Sequence, residues 1–330
     1  LRQADDVSVL VSVTRVLNED DIIEAFVRHT LGYVNCMLIM DNGSIDRTME
    51  ILTALRAEGL PLILLQSQSV AFNEQQHNTM LYQTACKAFT PDWVLCLDSD
   101  EFIDTRAVDV RARLAAVPPE TTAVKLSLRN YFAEGTESTD LLVPRRMVMR
   151  DVEDRGVHKC LVRGTIDDGV TIDAGNHDAW LGDNRLPSIL LPELPLAHFP
   201  DRHPLQFLTK ALLGRMKVLA AGGGEDIVRQ RNNHYTNFLD IMCHDPAHLL
   251  RNPAYMNAAL PGMPLMEDPI HYLGSDLRYT IAPDPLIKAI RCLATGMERV
   301  ASSHGRLLDA DPALRARIES EAMQTQLLTG

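Results

Sequence analysis

A run of five apolar residues, Trp93-Val94-Leu95-Cys96-Leu97, ends abruptly in Asp98-Ser99-Asp100-Glu101, after which Phe102-Ile103 is apolar again. An unbroken apolar run of that length reads as a strand buried on both faces, as in a parallel sheet covered by helices. In an open α/β sheet the ligand crevice lies outside the carboxyl ends of such strands. Three carboxylates gathered there repel one another unless a cation sits among them. A hard divalent ion with oxygen ligands meets that need and can also hold a diphosphate.

The sequence around this run has the same character. Val7 to Val13, Cys36 to Met40 and Leu62 to Leu65 read as strands. Asp20 to Leu31, Thr48 to Ala57 and Glu74 to Ala88 read as the intervening helices, the first with Ile22, Ile23, Phe26, Val27 and Thr30 at helical spacing. Repeated β-α units of this length imply a parallel sheet with helices on both faces. After Asp104 the pattern predicts a helix over Ala107 to Ala116, strands over Ala123 to Leu128, Val143 to Met149 and Val157 to Val162, a loop from Ile172 to Ala197, and a helix over Pro204 to Ala221. Gly222-Gly223-Gly224 marks a boundary, and the remainder reads as mainly helical. Residues 1–221 are thus one α/β domain, divided near residue 104, and residues 222–330 a helical extension that covers an acceptor side or pairs two copies in a homodimer.

Composition excludes several classes. With 330 residues and 46% apolar content the chain is long enough for a large core. The formal charge of −12 and the lack of a basic stripe argue against nucleic acid as a partner. No stretch has the length of a membrane span, so contact with a membrane would be peripheral. The six cysteines, Cys36, Cys86, Cys96, Cys160, Cys243 and Cys292, are scattered without zinc spacing and read as free thiols of a reducing, cytoplasmic compartment.

Further polar sets lie at the same sheet edge. The first strand runs into Thr14-Arg15-Val16-Leu17-Asn18-Glu19-Asp20, and the second ends in Asp41-Asn42-Gly43-Ser44-Ile45-Asp46. Helix capping accounts for Asp20 and Asp46. Asp41, which ends its strand, is read as a ligand contact. Gln75 and Asn78 open the helix after the third strand with amides able to bond a nucleotide or sugar. Glu153-Asp154-Arg155-Gly156-Val157-His158-Lys159 offers carboxylates and an imidazole able to take a proton. His198 can complete a metal shell. Arg202 and Lys210, taken alone, read as scattered surface charge. His29, His234, His244, His248, His271 and His304 show no metal spacing and are read as structural or exposed.

In order, VSVTRVLNEDD, DNGSIDRT and LDSDEF resemble the Asn-Glu strand end, the acidic turn and the metal motif of family 2 glycosyltransferases of the GT-A fold, in particular bacterial members with a DxDE-type motif. The resemblance spans about the first two-thirds of the chain. It implies a GT-A-like, Rossmann-like catalytic domain over residues 1–221, with a nucleotide-sugar half up to about 104 and an acceptor half from 105. It implies Mn²⁺ or Mg²⁺ at Asp98, Asp100 and His198. Nucleotide-sugar contacts would come from Thr14, Arg15, Asn18, Glu19, Asp41, Asn42, Gln75, Asn78, Asp98, Ser99, Arg202 and Lys210. The base would be Asp154 or His158; many relatives carry Glu after the equivalent His, where this chain has Lys159.

The expected activity is inverting, metal-dependent transfer of a sugar from a nucleoside diphosphate sugar, UDP-sugar foremost, to a hydroxyl of a glycan or glycolipid. Its setting by analogy is polysaccharide assembly at the inner face of a membrane. Two alternatives stay open. One is a nucleotidyltransferase, although no Gly-rich phosphate loop follows the first strand. The other is a non-catalytic glycan- or nucleotide-binding protein on the same fold.

Overall fold

The computed structural model describes residues 8–133, 140–153, 156–164, 169–222, 239, 243–245, 247, 264–282 and 284–322. Its first half alternates as the apolar spacing predicts: β1 (Leu10–Val16), α1 (Ile23–Thr30), β2 (Cys36–Asp41), α2 (Thr48–Ala57), β3 (Leu62–Gln66), α3 (Glu74–Phe89) and β4 (Trp93–Cys96). The four strands are parallel in the order β3-β2-β1-β4, so both edges of the central β1 are covered. Alternate side chains of β1 serve opposite layers. Leu10 packs with Phe26 of α1 and Leu52 and Leu55 of α2, whereas Val11 and Val13 pack with Leu81, Tyr82 and Ala85 of α3.

The second half extends this sheet with mixed polarity. It comprises β5 (Glu101–Ile103), α4 (Val110–Ala115), β6 (Ala123–Phe132), α5 (Val143–Arg146), β7 (Met149–Asp151) and β8 (His158–Arg163). These are followed by β9 (Val170–Ile172), β10 (Ala179–Leu181), β11 (Asn184–Arg185), β12 (Ser188–Leu190), β13 (Leu196–His198) and α6 (Pro204–Ala220). β8 joins β4 antiparallel, and β6 joins β8. The architecture is therefore the expected mainly parallel sheet flanked by helices, continued by antiparallel strands.

Two local expectations are corrected. Val143 to Met149 opens as a helical turn, not a strand: Pro144 sits in its first turn, where a missing N–H costs nothing, and Val143 and Met147 are both buried one turn apart. Residues 172–197 hold short strands in place of a loop. β9 and β10 pair across a turn in which Gly175 and Asn176 have positive φ, and β13 lies between β5 and β6. These strands are two or three residues long, too short to generate a period in sequence.

The last elements are β14 (Leu265–Glu267), α7 (Pro285–Ala310) and α8 (Pro312–Ala322). They are not a separate body. β14 pairs with β7, and the backbone N–H groups of Arg278, Tyr279 and Thr280 all donate to the buried Glu24 of α1. α7 lies beside α6, and its side chains reach the loops after β1 and β2. The described part of the C-terminal region thus touches both halves, the nucleotide half through Glu24, Asp20 and Gly43 and the acceptor half through β7 and α6. Its anchor is Glu24, whose helix position gives no sign of so distant a partner. Among the described residues no helix is long and apolar enough to cross a membrane.

Candidate active site

At the carboxyl edge of β1, β2 and β4 lies a cavity of about 970 Å³, closed on the far side by α6 and α7. Its floor is the turn between β4 and β5. The Asp98 carbonyl accepts the Glu101 N–H at 3.1 Å, and the Glu101 carboxylate accepts the Asp98 N–H at 3.0 Å. This reciprocal closure turns the three acids apart. Glu101 is wholly buried, and burial pushes its carboxyl up to about 8 against the pull of Lys159. Lys159 Nζ stands 2.6 Å from Asp98 Oδ2 and 2.8 Å from Glu101 Oε1. Asn176, delivered by the β9–β10 turn, donates to Asp98 Oδ1 at 3.3 Å. Asp98 is thus engaged by an internal cation and an amide.

Asp100 faces the other way, with Ser99 and Asp98 beside it on the cavity wall. Its Oδ2 lies 2.7 Å from Lys210 Nζ, 3.8 Å from Arg202 Nη1 and 3.8 Å from His198 Nε2. Burial raises its carboxyl, but Lys210, His198 and Arg202 reverse the shift and hold it below its ordinary value. β13 places His198 opposite Glu101 on one side and Asn130 on the other. Asn130 Oδ1 accepts from His198 Nδ1 at 2.7 Å, which leaves the Nε2 lone pair directed toward Asp100. Burial pushes the imidazole down to about 4, so it is neutral at pH 7.

An oxygen and a nitrogen donor 3.8 Å apart can share one cation at about 2 Å from each. Among the described residues no cluster of three or more His, Cys, Asp or Glu forms an all-protein cage. Divalent ions that accompany nucleotide phosphates take one or two protein groups and complete their shell with phosphate oxygens and water. Asp100 and His198 fit such an ion, with Asn130 fixing the imidazole tautomer as metal-bound histidines require. Both acids of the turn carry a lysine, Lys159 on Asp98 and Lys210 on Asp100, and a bound cation would take the place of the ammonium.

Above this floor the loops after β1 and β2 are tied together. Asn18, at φ +59°, donates its N–H to the Ser44 hydroxyl oxygen at 2.8 Å and accepts the Ile45 N–H on its Oδ1 at 2.9 Å. The side chain of Arg202 is completely buried against the loop after β1, 2.7 Å from Asp21 and in a short ion pair with Glu19. Asp46 accepts the Thr48 N–H at the start of α2, as expected of a cap. Asp20 caps nothing on α1; it accepts the Arg47 N–H and pairs with Lys288.

The cavity wall brings together Arg15, Asn18, Glu19, Asn42, Asp98, Ser99, Asp100, His198, Arg202 and Lys210. Other expected residues stand apart. Asp41 is wholly buried, and its carboxylate accepts the Gly43 and Ser44 N–H groups at 3.1 Å. Thr14 is buried within β1, on the opposite side of the strand from Arg15. Gln75 is exposed, and Asn78 donates to the Asp173 carbonyl on the far layer. The His158 imidazole does not line the cavity, and Asp154 lies outside the described residues. Residues that sequence reasoning missed include Asp21, Asn130, Asn176, Lys217 and Lys288. Lys217 lines the cavity from α6, with its ammonium pushed down to about 8 by burial and by Arg15. His29, read as structural or exposed, is a buried core residue.

No family model matches the sequence, and no curated protein matches it. Among solved structures the chain is similar to S. aureus TarS residues 1–349, at 13% identity over 72% of this chain and 73% of that one, TM-score 0.38. It is similar also to the mannosyltransferase PcManGT from Pyrobaculum calidifontis in complex with GDP-Man and Mn²⁺, at 13% identity over 89% and 81%, TM-score 0.38. A third is glucosyl-3-phosphoglycerate synthase from Mycobacterium tuberculosis in complex with Mn²⁺, UDP and glucosyl-3-phosphoglycerate, at 14% identity over 65% and 78%, TM-score 0.33.

Proposed function

We propose that this chain is a glycosyltransferase that moves a sugar from a nucleoside diphosphate sugar to an acceptor hydroxyl with inversion. One observation carries the reading: Asp100, His198, Arg202 and Lys210 meet on the wall of one large cavity at the carboxyl edge of a parallel sheet. That group combines a two-donor cation site with two cations suited to a diphosphate. The ordered Asn18-Glu19, Asp41 and Asp98-to-Glu101 segments support the same reading from the sequence.

Asp100 and His198 would hold Mn²⁺ or Mg²⁺, which when bound supplies Lewis-acid stabilisation of charge on the leaving diphosphate. Arg202, buried and fixed by Glu19 and Asp21, lends its positive charge to the same site from behind Asp100, without direct contact. Lys210, whose side chain is partly exposed on the cavity wall and pairs with Asp100, would offer its ammonium to the incoming phosphates. Lys159 keeps Asp98 and Glu101 compact beneath the donor, so their charges do not oppose the diphosphate. Asn18 and Asn42 line the nucleoside end beside the Asp41 turn. The acceptor proton would pass to Asp154 or His158, the two candidates the sequence offers, with in-line attack at the anomeric carbon.

The test is incubation with a panel of UDP- and GDP-sugars and Mn²⁺, following donor hydrolysis and transfer to simple glycosides. Turnover is expected for the natural protein and not for folded Asp100→Asn. Equal turnover by that variant in excess chelator refutes the site assignment. A folded natural protein that binds none of the donors refutes the function.

A further inference from the structure

The cavity is lined by a cation from the C-terminal region, beyond the sheet domain. Lys288, in the first turn of α7, buries its ammonium among Asp20, Asp46 and Asp21, with Asp46 at 3.0 Å, Asp21 at 3.9 Å and Asp20 in a short pair. Its helix neighbours Ala289 and Cys292 are also buried and line the same wall. From Lys288 the charges alternate continuously to the site floor: Asp21 to Arg202 at 2.7 Å, Arg202 to Asp100 at 3.8 Å, Asp100 to Lys210 at 2.7 Å.

The loops after β1 and β2 carry four carboxylates, Glu19, Asp20, Asp21 and Asp46, and among the described residues the buried cations paired with them within 4 Å are Arg202, on Glu19 and Asp21, and Lys288, on Asp20, Asp21 and Asp46. Arg202 cannot satisfy all four, because its Nη1 is occupied by the Phe199 carbonyl and its remaining nitrogens by Glu19 and Asp21. If Lys288 were absent, Asp20 and Asp46 would repel Asp21 and each other, and Asp21 is one of the two carboxylates that orient Arg202. Burial, and after it Asp46, raises the Asp20 carboxyl, and Lys288 counters them. A second tether lies one end further along α7, where Arg299 bonds the Gly43 carbonyl.

We infer that Lys288 is a positioning residue for the donor diphosphate: through Asp21 it sets the guanidinium of Arg202, so that the C-terminal helix is an integral part of the nucleotide-sugar site. The inference rests on the reading that a diphosphate binds beside Asp100, within the field of the Arg202 guanidinium. It separates from a merely structural role because its effect follows the phosphates. Removing the charge should weaken nucleotides that carry phosphate and spare the bare nucleoside, whereas general loosening of the helix would weaken both.

The experiment uses the full chain with Mn²⁺ and compares UDP with uridine, and GDP with guanosine, by calorimetry and ligand-observed NMR. Lys288→Met should weaken the diphosphate by about tenfold or more and leave the nucleoside within about twofold. Lys288→Arg should restore most of the loss. In an Arg202→Met background Lys288→Met should add nothing, since its route of action is already cut. Should Lys288→Met fail to fold, Asp21→Asn breaks the same link while Lys288 keeps Asp20 and Asp46, and the same phosphate-dependent loss is expected. A folded Lys288→Met protein with unchanged UDP and GDP affinity, or with nucleoside and diphosphate weakened in parallel, overturns the inference. A natural protein that binds neither diphosphate overturns the sugar-transfer reading first and this inference with it.

Discussion

Lowering the pH should loosen the rim of the cavity through one buried histidine. His29 of α1 has no exposed surface and uses both ring nitrogens: Nε2 bonds the Ile103 carbonyl at 2.9 Å, and Nδ1 accepts the Leu273 N–H at 3.1 Å. The carbonyl can only accept and the amide can only donate, so the ring is held neutral with its proton on Nε2. A second proton would face the Leu273 N–H inside a shell of Tyr33, Phe102 and Tyr272, whose rings lie within 5.8 Å. Burial accordingly pushes the imidazole from 6.5 down to about 4. Between those values the unfolded chain binds more protons than the folded one. The stabilisation is therefore complete above pH 6.5 and lost as pH falls toward 4. At about 1.4 kcal/mol per pH unit the full loss is about 3 kcal/mol, with about 2 kcal/mol gone by pH 5. That is a large part of a typical folding free energy of roughly 5–15 kcal/mol. Ile103 follows the acidic turn in β5, and the Leu273 segment carries Thr280 and Ile281 of the cavity wall, so the loss falls next to the site. Urea unfolding at intervals from pH 8 to 4.5 measures it, compared with His29→Asn, whose amide oxygen can still accept from Leu273 but does not titrate. The variant should be less stable at pH 8 and have a flatter pH dependence. Equal slopes in the two proteins would refute the assignment.

Two other expectations concern the site. Asn130→Leu removes the bond that fixes the His198 tautomer and should weaken Mn²⁺ binding, read by electron paramagnetic resonance, by roughly 10–100-fold with the fold retained; unchanged affinity would show that His198 is not a ligand. Gly43 sits at φ +87°, and an added Cβ would meet the Arg299 guanidinium, so Gly43→Ala should cost roughly 1–3 kcal/mol in urea unfolding.

Much of the fold was legible because its signals are local. The strand-sized apolar runs at Cys36 and Trp93, the helical spacing from Ile22 to Thr30 and the acids after Leu97 each arise within a few residues. The parallel order of β1, β2 and β4 then follows from the β-α alternation, which brings Asn18, Asn42 and Asp98 to one edge. The helical turn at Val143 was misread because four residues cannot separate a helical period from a strand. The strands between 170 and 198 stayed hidden for the same reason.

From sequence alone came the parallel sheet and the edge at which its acidic turn would emerge, since burial pattern and chain direction are properties of short segments. Only tertiary structure decided what each acid would face. Lys159 claims Asp98 and Glu101, while Asp100 is left to His198 and Lys210. Asp20 meets Lys288 from 268 positions away. Charge pairing depends on distance in space, and no spacing along the chain encodes which of many lysines and arginines will arrive beside a given carboxylate.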